Sequence, residues 1–196
     1  MATKILRGQG KNIKGEFSTE CAEDTNRWLK ERGIESYGNA YNIPAQFKSE
    51  INGYDHVDLP SGKMEGFSPT DSTKAIMTAH RAASDYIKEN FDVSSLDPNE
   101  NYVVNMYYNT SPHMNDFYKA AEEGNTNNYG THVGRLYHDP KDGWLVEHNI
   151  HGDIHIDPYN EVVGGYSNKN KYGITSISST TPTLRTWARN LLNKFR

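Results

Sequence analysis

An α+β fold, with helices packed on an antiparallel sheet, is predicted by the order of signals along this chain. A capped helix signal comes early, around residues 18–33. Short strand-like runs separated by tight turns follow late, between residues 132 and 157. Helix first and clustered strands afterwards is the pattern of segregated layers, not of alternating βαβ units.

The elements follow in order. Residues 1–17 carry Gly8, Gly10 and Gly15 and read as an irregular or short-strand lead-in. Ser18 and Thr19 are good N-cap residues, and acids follow at Glu20, Glu23 and Asp24. Ala22, Thr25, Trp28, Leu29 and Arg32 keep three-four spacing, and Gly33 supplies the stop. Residues 34–68 are turn-rich, a long loop or short strands. A second helix is expected from Pro69-Thr70-Asp71 through Ile76, Ala79, Ala83 and Ile87 toward Asn90. Tyr102–Tyr108 is dense in strand formers. Ser111-Pro112 opens a short helix, and Gly124 to Gly130 is a polar loop. Strands are expected at His132–Tyr137, Trp144–Asn149, Asp153–Asp157 and Ile174–Ser178, the first two joined by the turn Asp139-Pro140-Lys141-Asp142-Gly143. A last helix is placed at Thr181-Pro182, carrying Leu184, Trp187, Leu191, Leu192 and Phe195.

The 196 residues suit one domain, with a helical insertion at roughly 44–100. Apolar residues make up only 35%, but 13 tyrosines add rings that bury area while keeping a wet hydroxyl. A net charge of -4 argues against a broad basic field for nucleic acid. The basic opening (Lys4, Arg7, Lys11, Lys14) and basic end (Arg185, Arg189, Lys194, Arg196) read as solvated faces. No run approaches the roughly 20 apolar residues of a membrane span, and the opening Met1–Gly8 lacks the apolar stretch of a signal peptide. One cysteine permits neither an intrachain disulfide nor a four-cysteine zinc site. No cofactor is expected.

Cys21 falls in the first turn of the early helix, where unpaired N–H groups and the positive dipole end favour a thiolate. The neighbouring Glu20, Glu23 and Asp24 act in the opposite direction. On period-two geometry His132, Gly134 and Leu136 share a strand face, and Gly134 leaves room beside the imidazole. Trp144, Val146 and His148 share a face of the next strand. A hairpin through residues 139–143 would bring His148 beside His132, so that an imidazole–imidazole hydrogen bond satisfies both rings. A register slipped by one would present Glu147 or Asn149 instead. His151, Asp153, His155 and Asp157 alternate, which suits either a metal or a solvated strand face, but their spacing matches no common zinc pattern.

The ordered set of Cys21-Ala22-Glu23-Asp24 through Trp28-Leu29, His132-Val133-Gly134, Trp144–His148 and Ile154–Pro158 resembles the NlpC-type papain-like cysteine peptidases of bacterial cell walls. The likeness covers about a third of the chain. It implies a papain-like core in which Cys21 attacks a peptide or amide carbonyl, His132 carries the proton and His148 orients His132. It also implies a peptidoglycan stem-peptide substrate. With no signal peptide, a phage lysin or virion-associated hydrolase is expected, made in the cytoplasm and acting on the wall after lysis, injection or within a virion. An interbacterial effector amidase or acyltransferase is an alternative, as is a virion structural or cargo protein that keeps the fold. The chain departs from the family at Glu16-Phe17-Ser18-Thr19-Glu20-Cys21-Ala22, where the family carries an aromatic–Gly-Gly run and Asp-Cys-Ser. The family's site tyrosine has no clear counterpart there, with Tyr37 or Tyr41 as substitutes.

Overall fold

A computed structural model describes residues 2–18, 20–40, 42–58, 69–108, 132–164 and 172–193. The short helix expected at Ser111-Pro112, the loop Gly124–Gly130, Thr19 and Tyr41 lie outside these residues.

The strands are β1 (Lys4–Leu6), β2 (Phe47–Asn52), β3 (Asn101–Tyr108), β4 (His132–Asp139), β5 (Gly143–Ile150), β6 (Asp153–Pro158) and β7 (Tyr172–Pro182). Among the described residues the helices are α1 (Cys21–Glu31), α2 (Pro69–Asn90), α3 (Tyr159–Val162) and α4 (Leu184–Asn193). The chain is therefore α+β, with one seven-stranded antiparallel sheet in the order β1-β6-β5-β4-β3-β7-β2.

Two tight turns fix the register of the central strands. Between β4 and β5, Asp139 pairs with Gly143, and Asp139 Oδ1 accepts the amides of Lys141 and Asp142. Gly143 closes that turn at φ 80°, a left-handed conformation that an L side chain rarely adopts. Between β5 and β6, His151 and Gly152 both have positive φ, the signature of a two-residue type I′ hairpin turn. Because side-chain direction alternates along a strand, these turns decide which face every residue of β4, β5 and β6 presents.

Each face of the sheet has its own cover. On one, Trp28 and Leu29 of α1 pack with Ile43, Phe47, Val103 and Val133. On the other, Ile87 of α2 joins Val104, Met106, Leu136, Val146, Ile174 and Ile177. The segment 44–100, expected as a helical insertion, supplies the edge strand β2 and the helix α2. Thr181-Pro182, expected to open the last helix, instead ends β7, and α4 begins at Leu184. There Leu184, Trp187 and Leu191 stand exposed while Thr186 is buried.

His80 on α2 is buried beneath this second face. Its Nδ1 bonds the Tyr54 hydroxyl, and its ring stacks on Tyr107 at 5.5 Å. Burial pushes its imidazole down from 6.5 to about 3. As pH falls below 6.5 the unfolded chain takes up this proton first, so stability declines progressively from 6.5 down through about 3. The slope from one such group reaches at most about 1.4 kcal/mol per pH unit. Chemical denaturation at several pH values checks this. The acid limb should flatten between pH 6.5 and 4 in His80→Gln, whereas an identical limb in both proteins assigns the acid lability elsewhere.

Candidate active site

The first helix starts at Cys21, one or two residues later than Ser18 or Thr19 as N-cap would place it, and its cap is built differently. Glu20 occupies the N-cap position and makes no side-chain cap bond. Ser18 Oγ instead accepts the Glu20 amide at 3.1 Å and donates to Glu23 Oε2 at 2.5 Å. These two bonds hold the approach to Cys21. Asn149 of β5 clamps the same segment, because its Nδ2 donates to the Ser18 carbonyl at 2.8 Å and its Oδ1 accepts the Gly152 amide. The start of α1 is thus tied to the β5–β6 turn.

The sulfur faces the beginning of β4. The backbone amides of Val133, the residue after His132, and of Ala22 and Cys21 favour the thiolate. The β4–β5 ladder begins only at Arg135↔Glu147, so Val133 lies beyond its end. Residue Cys21 as a whole keeps some exposure, yet its sulfur is dry enough for desolvation to dominate. Burial, helped by Glu20, pushes the thiol up from 9.0 to about 11 against the pull of the three amides. This corrects the expectation of a favoured thiolate: the amides pull the thiol down, and burial outweighs them. The folded protein holds this proton more tightly than the unfolded chain, so the native state loses stability as pH climbs from 9.0 toward about 11.

A second consequence concerns reactivity. Iodoacetamide labelling of the native protein should be slow at neutral pH and rise about tenfold per pH unit toward pH 11. In denaturant the rise should level off near pH 9. Intact-mass kinetics across pH reads this directly. A native profile already level below pH 8 would mean that the thiolate is preformed.

The two histidines meet as the hairpin geometry predicts. His132 Nε2 and His148 Nδ1 lie 2.7 Å apart, with the rings edge-on at 84°. Both residues are buried. They are diagonal neighbours, since continuing the Arg135↔Glu147 register by one residue sets Gly134 opposite His148. A Cβ at Gly134 would stand 2.8 Å from His148 Cβ and 2.6 Å from the Glu147 carbonyl oxygen. The room expected beside the His132 imidazole is therefore filled by β5 itself.

The register also places the two alternatives to His148. Glu147 points to the α1 face and pairs with Arg135 at 2.7 Å, while the Arg135 guanidinium lies 5.9 Å from the Trp28 ring centre. Asn149, on the same face, makes the clamp on Ser18. Tyr37 is exposed, and its amide donates to Gln46 Oε1.

Two groups that the sequence reading did not connect to this site lie behind it. His148 Nε2 is 3.0 Å from Asp157 Oδ2, and Thr3 Oγ1 donates to Asp157 Oδ1 at 2.5 Å. Asp157 is fully buried. The alternation from His151 to Asp157 is the signal the sequence offers, and it reads first as a wet strand face and only second as metal ligands. In the structure His151 belongs to the turn and is exposed, Asp153 Oδ1 accepts the Gly8 amide, and Asp157 is engaged by His148 and Thr3. Among the described residues no group of three His, Cys, Asp or Glu is arranged to hold a metal. Among them, too, no helix is long and apolar enough to cross a membrane.

Comparison with known proteins returns no matching family model, no matching curated protein and no matching solved structure. The functional reading consequently rests on the residues and their geometry.

Proposed function

We propose that this chain is a cysteine peptidase or amidase with a papain-like core, working through an acyl-enzyme at Cys21. The observation that carries this is the buried His132–His148 pair at 2.7 Å, with Cys21 at the tip of α1 packed against the cluster that includes Val133, the residue after His132. His132 Nε2 is committed to His148, so exchange with the sulfur runs through Nδ1. In the first step Sγ attacks the carbonyl carbon while its proton passes to His132 Nδ1. The C–N bond then breaks as His132 returns that proton to the departing amine. Water, deprotonated by the same nitrogen, releases the acid and restores the thiol. A sulfur held as a thiol at rest suits such a coupled transfer, in which attack and proton loss go together.

The amide of Cys21, in the first turn of α1, would be one oxyanion donor. Peptidoglycan stem peptides are the proposed substrate, on the resemblance of the Cys21, His132 and His148 segments to the NlpC-type peptidases. The setting is a phage lysin or virion-associated hydrolase, or an interbacterial effector. Purified protein incubated with peptidoglycan should release stem-peptide fragments with new termini, seen by mass spectrometry. Intact sacculi from walls of several cross-link types would overturn the substrate.

One observation favours a second reading, a virion structural or cargo protein that keeps the fold without turnover. Burial holds the Cys21 thiol at about 11, well above a typical activated cysteine. Under that reading, wall digestion is absent and incorporation into particles is unaffected by Cys21 substitution.

A further inference from the structure

The hydrogen-bonded chain that begins at His132 does not end at the second histidine. It runs from His132 Nε2 to His148 Nδ1 at 2.7 Å, then from His148 Nε2 to Asp157 Oδ2 at 3.0 Å, and Asp157 Oδ1 accepts Thr3 Oγ1 at 2.5 Å. Every side chain from His132 to Asp157 is buried. Thr3 arrives from outside this unit: it precedes β1, which pairs with β6 in the register Lys4↔Ile156. The strand pairing sets Thr3 opposite Asp157.

Two linked imidazoles have a direction. Each neutral ring offers one donor nitrogen and one acceptor nitrogen. The pair can therefore be protonated at Nε2 on both rings or at Nδ1 on both rings. In the first state His132 Nε2–H donates to His148 Nδ1, and His132 Nδ1 carries the lone pair that can receive a thiol proton. In the second state His148 Nδ1–H donates to His132 Nε2, and His132 Nδ1 already holds a hydrogen. Only the first state leaves His132 Nδ1 able to accept a proton. The His132–His148 contact by itself fits both.

We infer that Asp157 is a positioning residue that sets this direction. A carboxylate only accepts hydrogen bonds. Opposite His148 Nε2, it selects the Nε2–H tautomer of His148, which turns His148 Nδ1 into an acceptor. That in turn selects Nε2–H on His132 and leaves Nδ1 bare. Thr3 fixes the carboxylate by donating to its other oxygen. The N-terminal strand thereby takes part in the site without approaching Cys21. His155 stands opposite His148 in the β5–β6 ladder, with ring centres 5.8 Å apart, and is the other titratable ring against this chain.

This inference deepens the proposed peptidase mechanism and rests on it for its catalytic meaning, but the tautomers can be read without any substrate. The test is 15N-edited NMR of histidine-labelled protein, assigned with His132→Gln and His148→Gln. The native protein should show His132 and His148 both protonated at Nε2. Asp157→Asn should invert the pair: Thr3 still donates to the remaining oxygen, so the new amide nitrogen faces His148 Nε2 and donates to it. His148 and His132 then both become Nδ1–H. In a peptide-cleavage assay that variant should lose at least about 100-fold in kcat, with KM changed less than about threefold, because a wrong tautomer removes the base and leaves binding intact. Thr3→Val should keep the native tautomers while lowering kcat less than Asp157→Asn does. A native protein with Nδ1–H on His132 overturns the inference, even if Asp157→Asn fails to fold. So does a folded Asp157→Asn with unchanged tautomers. A chain with the stated tautomers that cleaves no peptide overturns the peptidase reading and leaves the role of Asp157 in place.

Discussion

Cys21→Ala is expected to abolish cleavage of peptidoglycan stem peptides while leaving the fold in place. Removing the nucleophile of a catalytic triad costs on the order of 10⁴- to 10⁶-fold in kcat, which in a wall-digestion assay reads as no activity. The structural cost is small by comparison. Cys21, like Ala22 and Ile34, packs against the edge of the α1 cluster, and the large side chains there, Trp28, Leu29 and Ile43, remain. A loss of about 1 kcal/mol or less is expected, as for deleting one small partly buried group. Cys21→Ser is the sharper variant. It keeps the shape and hydrogen-bonding capacity of the site, but an alcohol is far harder to deprotonate than a thiol, so activity should fall nearly as far. Matched circular dichroism and melting curves for the three proteins, set beside fragment release, provide the check. Full activity in a folded Cys21→Ala would remove the mechanism.

Much of the sheet around this site is legible in the sequence, because its registers are set locally. Asp139 and Gly143 bracket a tight turn, and strict alternation from Trp144 to His148 then fixes the faces, so His148 meets His132 without any long-range information. The α2 boundaries follow from Pro69 at the first turn and from apolar spacing through Ala79, Ala83 and Ile87. What the sequence conceals is long-range. Nothing local says that residues 47–52 form the sheet edge beside β7, because that pairing joins positions more than 120 apart. Nothing local separates Asp157 from a solvated carboxylate, because its partners come from His148 on another strand and Thr3 at the far end of the chain. The thiol escapes a local reading for the same reason. Helix-tip amides are visible at Ser18–Cys21, but the burial that outweighs them comes from tertiary packing against β4.

Gly134→Ala should damage the point where the two histidines meet. The new Cβ would meet the Glu147 carbonyl oxygen at 2.6 Å, His148 Cβ at 2.8 Å and Met106 Cε at 3.2 Å. Met106 can yield, since a methionine end is flexible. The other two cannot yield independently, because the carbonyl belongs to the β5 backbone and His148 Cβ is fixed to it. Relief requires β4 and β5 to separate at the point where the two imidazoles meet. Overpacking of this kind costs about 1–3 kcal/mol, which for a domain of this size lowers Tm by roughly 2–4 °C per kcal/mol. The functional loss should exceed the loss of stability. A displacement of about 0.5 Å between β4 and β5 lengthens the bond between His132 Nε2 and His148 Nδ1, now 2.7 Å, beyond good hydrogen-bonding distance. Calorimetry and peptide-cleavage kinetics on the same preparation separate the two effects. The expected outcome is a protein still folded at 25 °C with kcat reduced at least about tenfold. A Gly134→Ala protein with wild-type Tm and wild-type kcat would show that β5 does not press on β4 at this position, and the close packing that holds His148 against His132 would have to be abandoned.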